Sequence, residues 1–162
     1  MTDSSELQRI LNDPKCSRDF QLQHICKTMF NEIPSANLIS LWVFNESISE
    51  IECIKAYDVE TDTFSEGHIL KKSEFPKYFN AIIENETVDA SDARNHPVTS
   101  GFTEGYFQPN DIYSLLDFIL HNDFKPKGVL CCESKGKKVV WSASDLESIR
   151  MVATMVSFMF DI

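Results

Sequence analysis

Two apolar runs near the end of the chain, residues 112–120 and 127–133, lie either side of the turn-like His121-Asn122-Asp123. Trp141-Ser142-Ala143-Ser144-Asp145 follows, and then one apolar-striped segment that reaches residue 162. Runs of that length joined by so few residues form a β-hairpin. Ser142 with Asp145 three positions on reads as a capping box, in which each side chain satisfies the other's backbone N–H. Hairpin, aromatic plug and capped helix leave few architectures open, because one stripe of the helix has to cover a sheet.

The earlier part repeats the theme. Residues 5–12 read as a short helix with Leu7, Ile10 and Leu11 on one side. Ser17 can cap a second helix, in which Leu22, Ile25, Cys26, Met29 and Phe30 recur at i, i+3, i+4, i+7 and i+8. Residues 38–44 are apolar on both faces except at Ser40, which predicts a central strand. With residues 50–57 they make a first hairpin. Residues 68–70 read as a short strand. Ser73 is expected to cap a helix carrying Phe75, Phe79, Ile82 and Ile83, and residues 87–90 are extended. Residues 98–108 read as a weak helix, since Gly101 and Gly105 each cost about 1 kcal/mol relative to alanine.

The order is therefore helix, hairpin, helical insertion, hairpin, helix. Hairpins imply an antiparallel sheet. Terminal helices cover one face and residues 58–111 the other, so the expected fold is an α/β (α+β) three-layer α/β/α sandwich around about five to six strands. A small ligand belongs beneath the insertion, with 98–108 as its lid. In the last helix Leu146, Ile149, Val152, Ala153, Val156, Met159 and Phe160 form one stripe; Met151, Met155, Phe158 and Ile162 form a second. The second stripe requires its own cover, either the helix at 17–31 or a partner chain.

Composition narrows the partners. A net charge of −10 without a basic cluster argues against nucleic acid and anionic membrane. No apolar run approaches the ~20 residues that cross a bilayer, and the polar, acidic first residues are unlike a secretory signal. Cys16, Cys26, Cys53, Cys131 and Cys132 lack metal-ligand spacing and read as reduced, buried cytoplasmic thiols. The four histidines show no i, i+4 pair, so no metal site is expected and no cofactor is indicated.

Candidate site residues are few. Asp89, Asp92 and Arg94 form a polar cluster; the arginine can grip a carboxylate or phosphate. The plainer role is that Asp92 caps a turn and Arg94 pairs with it. Asp117 sits inside an apolar strand and Glu133 ends one. Each fits a ligand contact, a structural ion pair or an exposed face. Trp42, Tyr57, Phe79, Phe102 and Tyr106 line a pocket or simply fill core.

In order along the chain, Leu38–Phe44, residues 87–97 (Thr87 through Asp92 and Arg94 to Pro97), Ser114-Leu115-Leu116-Asp117-Phe118-Ile119, Gly128-Val129-Leu130-Cys131-Cys132-Glu133 and Trp141 to Asp145 resemble a GAF domain, a small-ligand sensor module. The resemblance spans about 17–160 and implies a sensory domain at 17–162 behind an N-terminal helical extension at 1–16. It also implies an unidentified small-molecule ligand, a homodimer through terminal helices, and a histidine kinase, diguanylate cyclase or phosphodiesterase as output domain. Glu133-Ser134 replaces the Asn-Lys of cyclic-nucleotide-binding members, and 91–94 lacks the Ile-Pro of bilin-binding ones. No catalytic constellation is present. A ligand-free dimerisation module is the alternative, with a cavity filled by Trp42, Phe102 and Tyr106, whereas a sensor is expected to hold an open, partly polar cavity near Arg94. A thiol-based free methionine sulfoxide reductase is a third reading.

Overall fold

In the computed structural model, which describes residues 3–161, the second hairpin is longer than its apolar runs. β6 (Ile112–Asn122) and β7 (Lys125–Lys135) are joined by Asp123 and Phe124 alone. Both have positive φ, 52° and 63°. That is the requirement of a two-residue turn whose twist matches the strands. The expected turn at 121–123 is therefore shifted: His121 and Asn122 pair with Pro126 and Lys125.

The chain begins with α1 (Ser4–Leu11) and α2 (Arg18–Glu32), capped by Asp3 and Ser17. β1 (Leu38–Phe44) and β2 (Glu50–Asp58) form the first hairpin, and β3 (Thr63–Ser65) and β4 (Ile69–Lys71) pair side by side along the outer edge of β2. α3 (Pro76–Asn85) and β5 (Thr87–Ala90) follow, and α4 (Ala143–Met159) closes the chain. The sheet has seven antiparallel strands in the order β3-β2-β1-β7-β6-β5, with β4 off that path. The short strand expected at 68–70 is β4, and the one strand beyond the expected five to six is β3, whose three residues lie in a polar, turn-rich stretch.

Terminal helices occupy one face. Leu7, Ile25, Met29, Leu116, Cys132, Ile149 and Val156 meet there in one apolar core. Asp145 and Ser142 complete both bonds of the capping box of α4, and the Trp141 indole N–H donates to the Leu115 carbonyl at 2.9 Å. The other face carries α3 and the loop to residue 107, packed over Trp42, Ile51, Phe79, Phe107, Leu115 and Ile119. Gly128 is obligatory at the joint between them: a Cβ there would stand 2.0 Å from the Trp42 carbonyl oxygen of β1.

Two local expectations fail. Ser73 does not cap α3; Phe75 stands at the N-cap without a side-chain bond, and Pro76 starts the helix. Residues 98–108 form no α-helix but a 3₁₀ turn, Ser100–Phe102, and a π-helical turn, Thr103–Phe107. Along α4, Met155 packs against the core whereas Met151 and Phe158 are exposed, and Ile162 lies outside the described residues.

Candidate functional site

β6 and β7 bring Asp117, Cys131 and Glu133 to the insertion face, because alternate residues of a strand share a side. Asp117 is opposite Cys131, and Glu133 is opposite Leu115. Both carboxyl groups are buried. The Tyr78 hydroxyl, from α3, donates to Asp117 Oδ2, and the Tyr106 hydroxyl, from the π turn, donates to Glu133 Oε1 at 3.1 Å. Asp117 Oδ1 and Glu133 Oε2 have no hydrogen-bond partner.

These groups lie at a cavity of about 30 Å³ whose walls include Trp42, Ile51, Leu70, Tyr78, Phe102, Tyr106 and Phe107. Such a volume suits one water-sized group. Phe102 forms the roof, stacked on Phe75 at 4.2 Å and set edge-on to Tyr78 at 5.3 Å. Tyr106 forms a side wall, between His68 at 5.8 Å and Phe107 at 5.7 Å. Trp42 and Tyr106 also border an open cleft of about 530 Å³ over β1 and β2, with Ser40, Asp58, Glu66, His68, Asp111 and Lys135 on its rim. Two side chains thus belong to both the small cavity and the larger cleft.

The electrostatics follow from burial. Loss of hydration pushes the Asp117 carboxyl up to about 7, against which the Cys131 and Tyr78 hydrogen bonds work. Burial and then the charge of Asp117 push Glu133 up to about 8. Burial, followed by the two carboxyls, pushes the Cys131 thiol well above its ordinary value.

The candidate residues divide accordingly. Trp42, Phe102, Tyr106, Asp117 and Glu133 come together at the cavity. Phe79 is buried behind it, edge-on to Tyr78 and Phe44. Tyr57 is on the opposite face, stacked on Phe64 at 4.6 Å, because its register on β2 turns it toward the terminal helices. Asp89 is exposed on β5. Asp92 accepts from Asn95 and faces Lys138 at 3.5 Å. Arg94 does not pair with Asp92: its Nε donates to the Ile112 carbonyl, its guanidinium faces Asp111 at 3.9 Å and lies 4.0 Å over the Tyr113 ring. Asp92 and Arg94 therefore brace the loop, and neither lines the small cavity. Sequence reasoning missed Tyr78 and gave Cys131 a packing role. The signal for Tyr78 is its position one helical turn before Ile82, on the stripe that faces the sheet.

A family model for the GAF domain matches residues 38–159. The chain belongs to the GAF domain family. Its fold is similar to the GAF domain of an Acinetobacter phosphoenolpyruvate-protein phosphotransferase, at 17% identity over 93% of this chain and 87% of that one, with a TM-score of 0.69. It is similar to free methionine-R-sulfoxide reductase from Neisseria meningitidis, solved with its substrate, at 12% identity over 96% and 84% of the two chains, TM-score 0.70. It is also similar to the chromophore-binding domain of Stigmatella aurantiaca phytochrome P1, at 9% identity over 98% of this chain and 58% of that one, TM-score 0.73. At these identities the likeness is one of fold. No curated protein matches the sequence. Among the described residues of this GAF domain, no helix is long and apolar enough to cross a membrane.

Proposed function

We propose that this GAF domain is a non-catalytic sensory and regulatory module that takes a small molecule between the sheet and the insertion. One observation carries the reading: two buried carboxyls each keep an unpaired oxygen at an aromatic-walled cavity. Burying such groups without full pairing costs stability, and perturbed carboxyls gather at functional sites. The roof suits a segment that moves. It consists of a 3₁₀ turn followed by a π turn, contains Gly101 and Gly105, and Tyr106 is tied to the floor by a single bond to Glu133.

Occupancy passes to the terminal helices through the strands. Leu116 and Cys132, the neighbours of Asp117 and Glu133, point the other way into the core with α2 and α4. A ligand shifts that equilibrium only by binding one arrangement better than the other. In this reading the module signals to a histidine kinase, diguanylate cyclase or phosphodiesterase domain. It pairs with a second copy through α4, where Phe158 is 85% exposed. A nucleophilic role for Cys131 is opposed by burial, which disfavours the thiolate.

The second reading, a ligand-free dimerisation module, is favoured by the small volume of the cavity, although Trp42, Phe102 and Tyr106 line it rather than fill it. Native mass spectrometry against the denatured mass, followed by a thermal-shift screen of metabolites, separates the two. A co-purifying molecule, or a stabilising hit lost on Phe102→Trp, supports the sensor. An empty domain unmoved by the screen, whose dimer is lost on Phe158→Glu, supports the alternative.

A further inference from the structure

When ionised, the two carboxyls on the floor of the small cavity offer acceptors, and the Cys131 thiol beside them already bonds to the pair. Asp117 Oδ1 and Glu133 Oε2 are unpaired, and the hydroxyls of Tyr78 and Tyr106 are already given to the other oxygens of the same two groups. No lysine or arginine lines the cavity. Its walls include the rings of Trp42, Tyr78, Phe102, Tyr106 and Phe107 beside Ile51, Leu70 and Leu115.

Two carboxyl acceptors inside an aromatic box match a group with positive charge and several N–H donors. The charge is stabilised by the carboxylates and by the ring faces, and each unpaired oxygen receives a hydrogen. A phosphate or carboxylate would bring further acceptors and like charge. Size agrees, since about 30 Å³ holds a group the size of a water, and an ammonium is of that size. The body of a larger ligand has somewhere to go, because Trp42 and Tyr106 border the open cleft as well. That cleft carries Asp58, Glu66 and Asp111 against Lys135, which is itself paired with Asp58.

We propose that Asp117 and Glu133 form the seat for the primary ammonium of a small organic amine, whose remainder passes Tyr106 into the cleft over β1 and β2. This rests on the sensor reading and adds the charge class of the ligand to it. The raised carboxyls give the seat a proton linkage. The ammonium binds the ionised pair, so seating it releases protons at neutral pH. The titratable groups around the pair are Tyr78 from α3, Tyr106 from the π turn, Cys131 from β7 and Cys53 from β2, with His68 beyond Tyr106.

The test is isothermal titration of the 162-residue chain with primary alkylammonium ions from methyl- to hexylammonium, beside the matching alcohols and carboxylates. Expected is binding of an ammonium and of neither control, tighter by about tenfold near pH 8 than near pH 6, with a heat that depends on the buffer's ionisation enthalpy. Asp117→Asn and Glu133→Gln should each weaken it by about tenfold or more while melting cooperatively. Phe124→Gly, in the exposed turn between β6 and β7 and outside both the cavity and the cleft, is the control variant and should leave affinity unchanged within about threefold. Equal binding of the alcohol, or undiminished binding in the Asp117→Asn/Glu133→Gln double variant, overturns the proposal. If only a neutral or anionic compound from a metabolite screen binds, and Phe102→Trp abolishes it, the ammonium seat is wrong and the sensor reading stands. If no compound of any charge binds, both fall.

Discussion

Leu116 and Asp117 are neighbours on β6, equally buried, and they belong to different kinds of interior. Leu116 enters a core made mostly of aliphatic side chains, with Trp141, Tyr57 and Phe160 among them, closed by three helices. Asp117 enters an aromatic layer that contains two carboxyls, an unfilled volume and a roof of irregular turns. The first face is organised for stability. The second accepts the stability cost of two buried carboxyls that protonation relieves. A sheet permits the contrast because a one-residue step reverses the side to which a side chain points.

The contrast breaks most visibly under mutation of that pair of neighbours. Leu116→Ala should cost about 3 kcal/mol in urea unfolding, since a cavity opens in a well-packed core. Asp117→Asn with Glu133→Gln should do the reverse, raising stability near pH 8 by about 2 kcal/mol because the ionised pair no longer has to be buried. A loss in the double variant would mean that the carboxyls hold the insertion together.

The pH dependence sharpens the same point. Folded Asp117 and Glu133 titrate above their unfolded values, at about 7 and about 8. Between the unfolded and folded values the native state holds more protons, so stability falls as pH rises from about 5 to about 8. Asp19, Asp58 and Asp92, held below the usual carboxylate range by Lys55, Lys135 and Asn95 among their partners, act oppositely but only at acid pH. Thermal melts across that window should show the slope in the native chain and its absence in the double variant.

Tyr106→Phe should cost about 1 kcal/mol, because Glu133 then loses its one hydroxyl donor. Accelerated amide exchange confined to 100–107 would identify that bond as the tie of the roof; unchanged exchange would not. The smallest effect is expected outside both layers. Phe124 is 100% exposed with φ at 63°, and Phe124→Gly should stabilise by about 0.5 kcal/mol as the left-handed conformation ceases to be strained.

Much of the frame was legible because it rests on short-range pattern. The apolar run Leu38–Phe44 is β1 to the residue, Ser17 caps α2, and Ser142 with Asp145 forms the capping box. Each is decided by neighbours within one turn of chain. The misreadings had competing local signals. Ser73 is a good cap residue, yet Pro76 fixes the helix start three positions later. Residues 98–108 have a helix-like aromatic spacing, but Thr99 and Thr103 spend their hydroxyls on the carbonyls of Ala93 and Arg94 and draw the segment into turns.

The sequence by itself determined the order of elements, the antiparallel pairing and the two-sided cover, since periodicity and capping act over a few residues. Only the tertiary structure decided which polar groups share a site. Asp92 and Arg94 are close in sequence and serve the loop, with Arg94 drawn to Asp111 across it. Asp117 and Glu133 are distant in sequence and meet because β6 and β7 pair in one register, while Tyr57 is turned away by another. Register is a property of strand pairs, so a site made across strands is written in no single stretch of the chain.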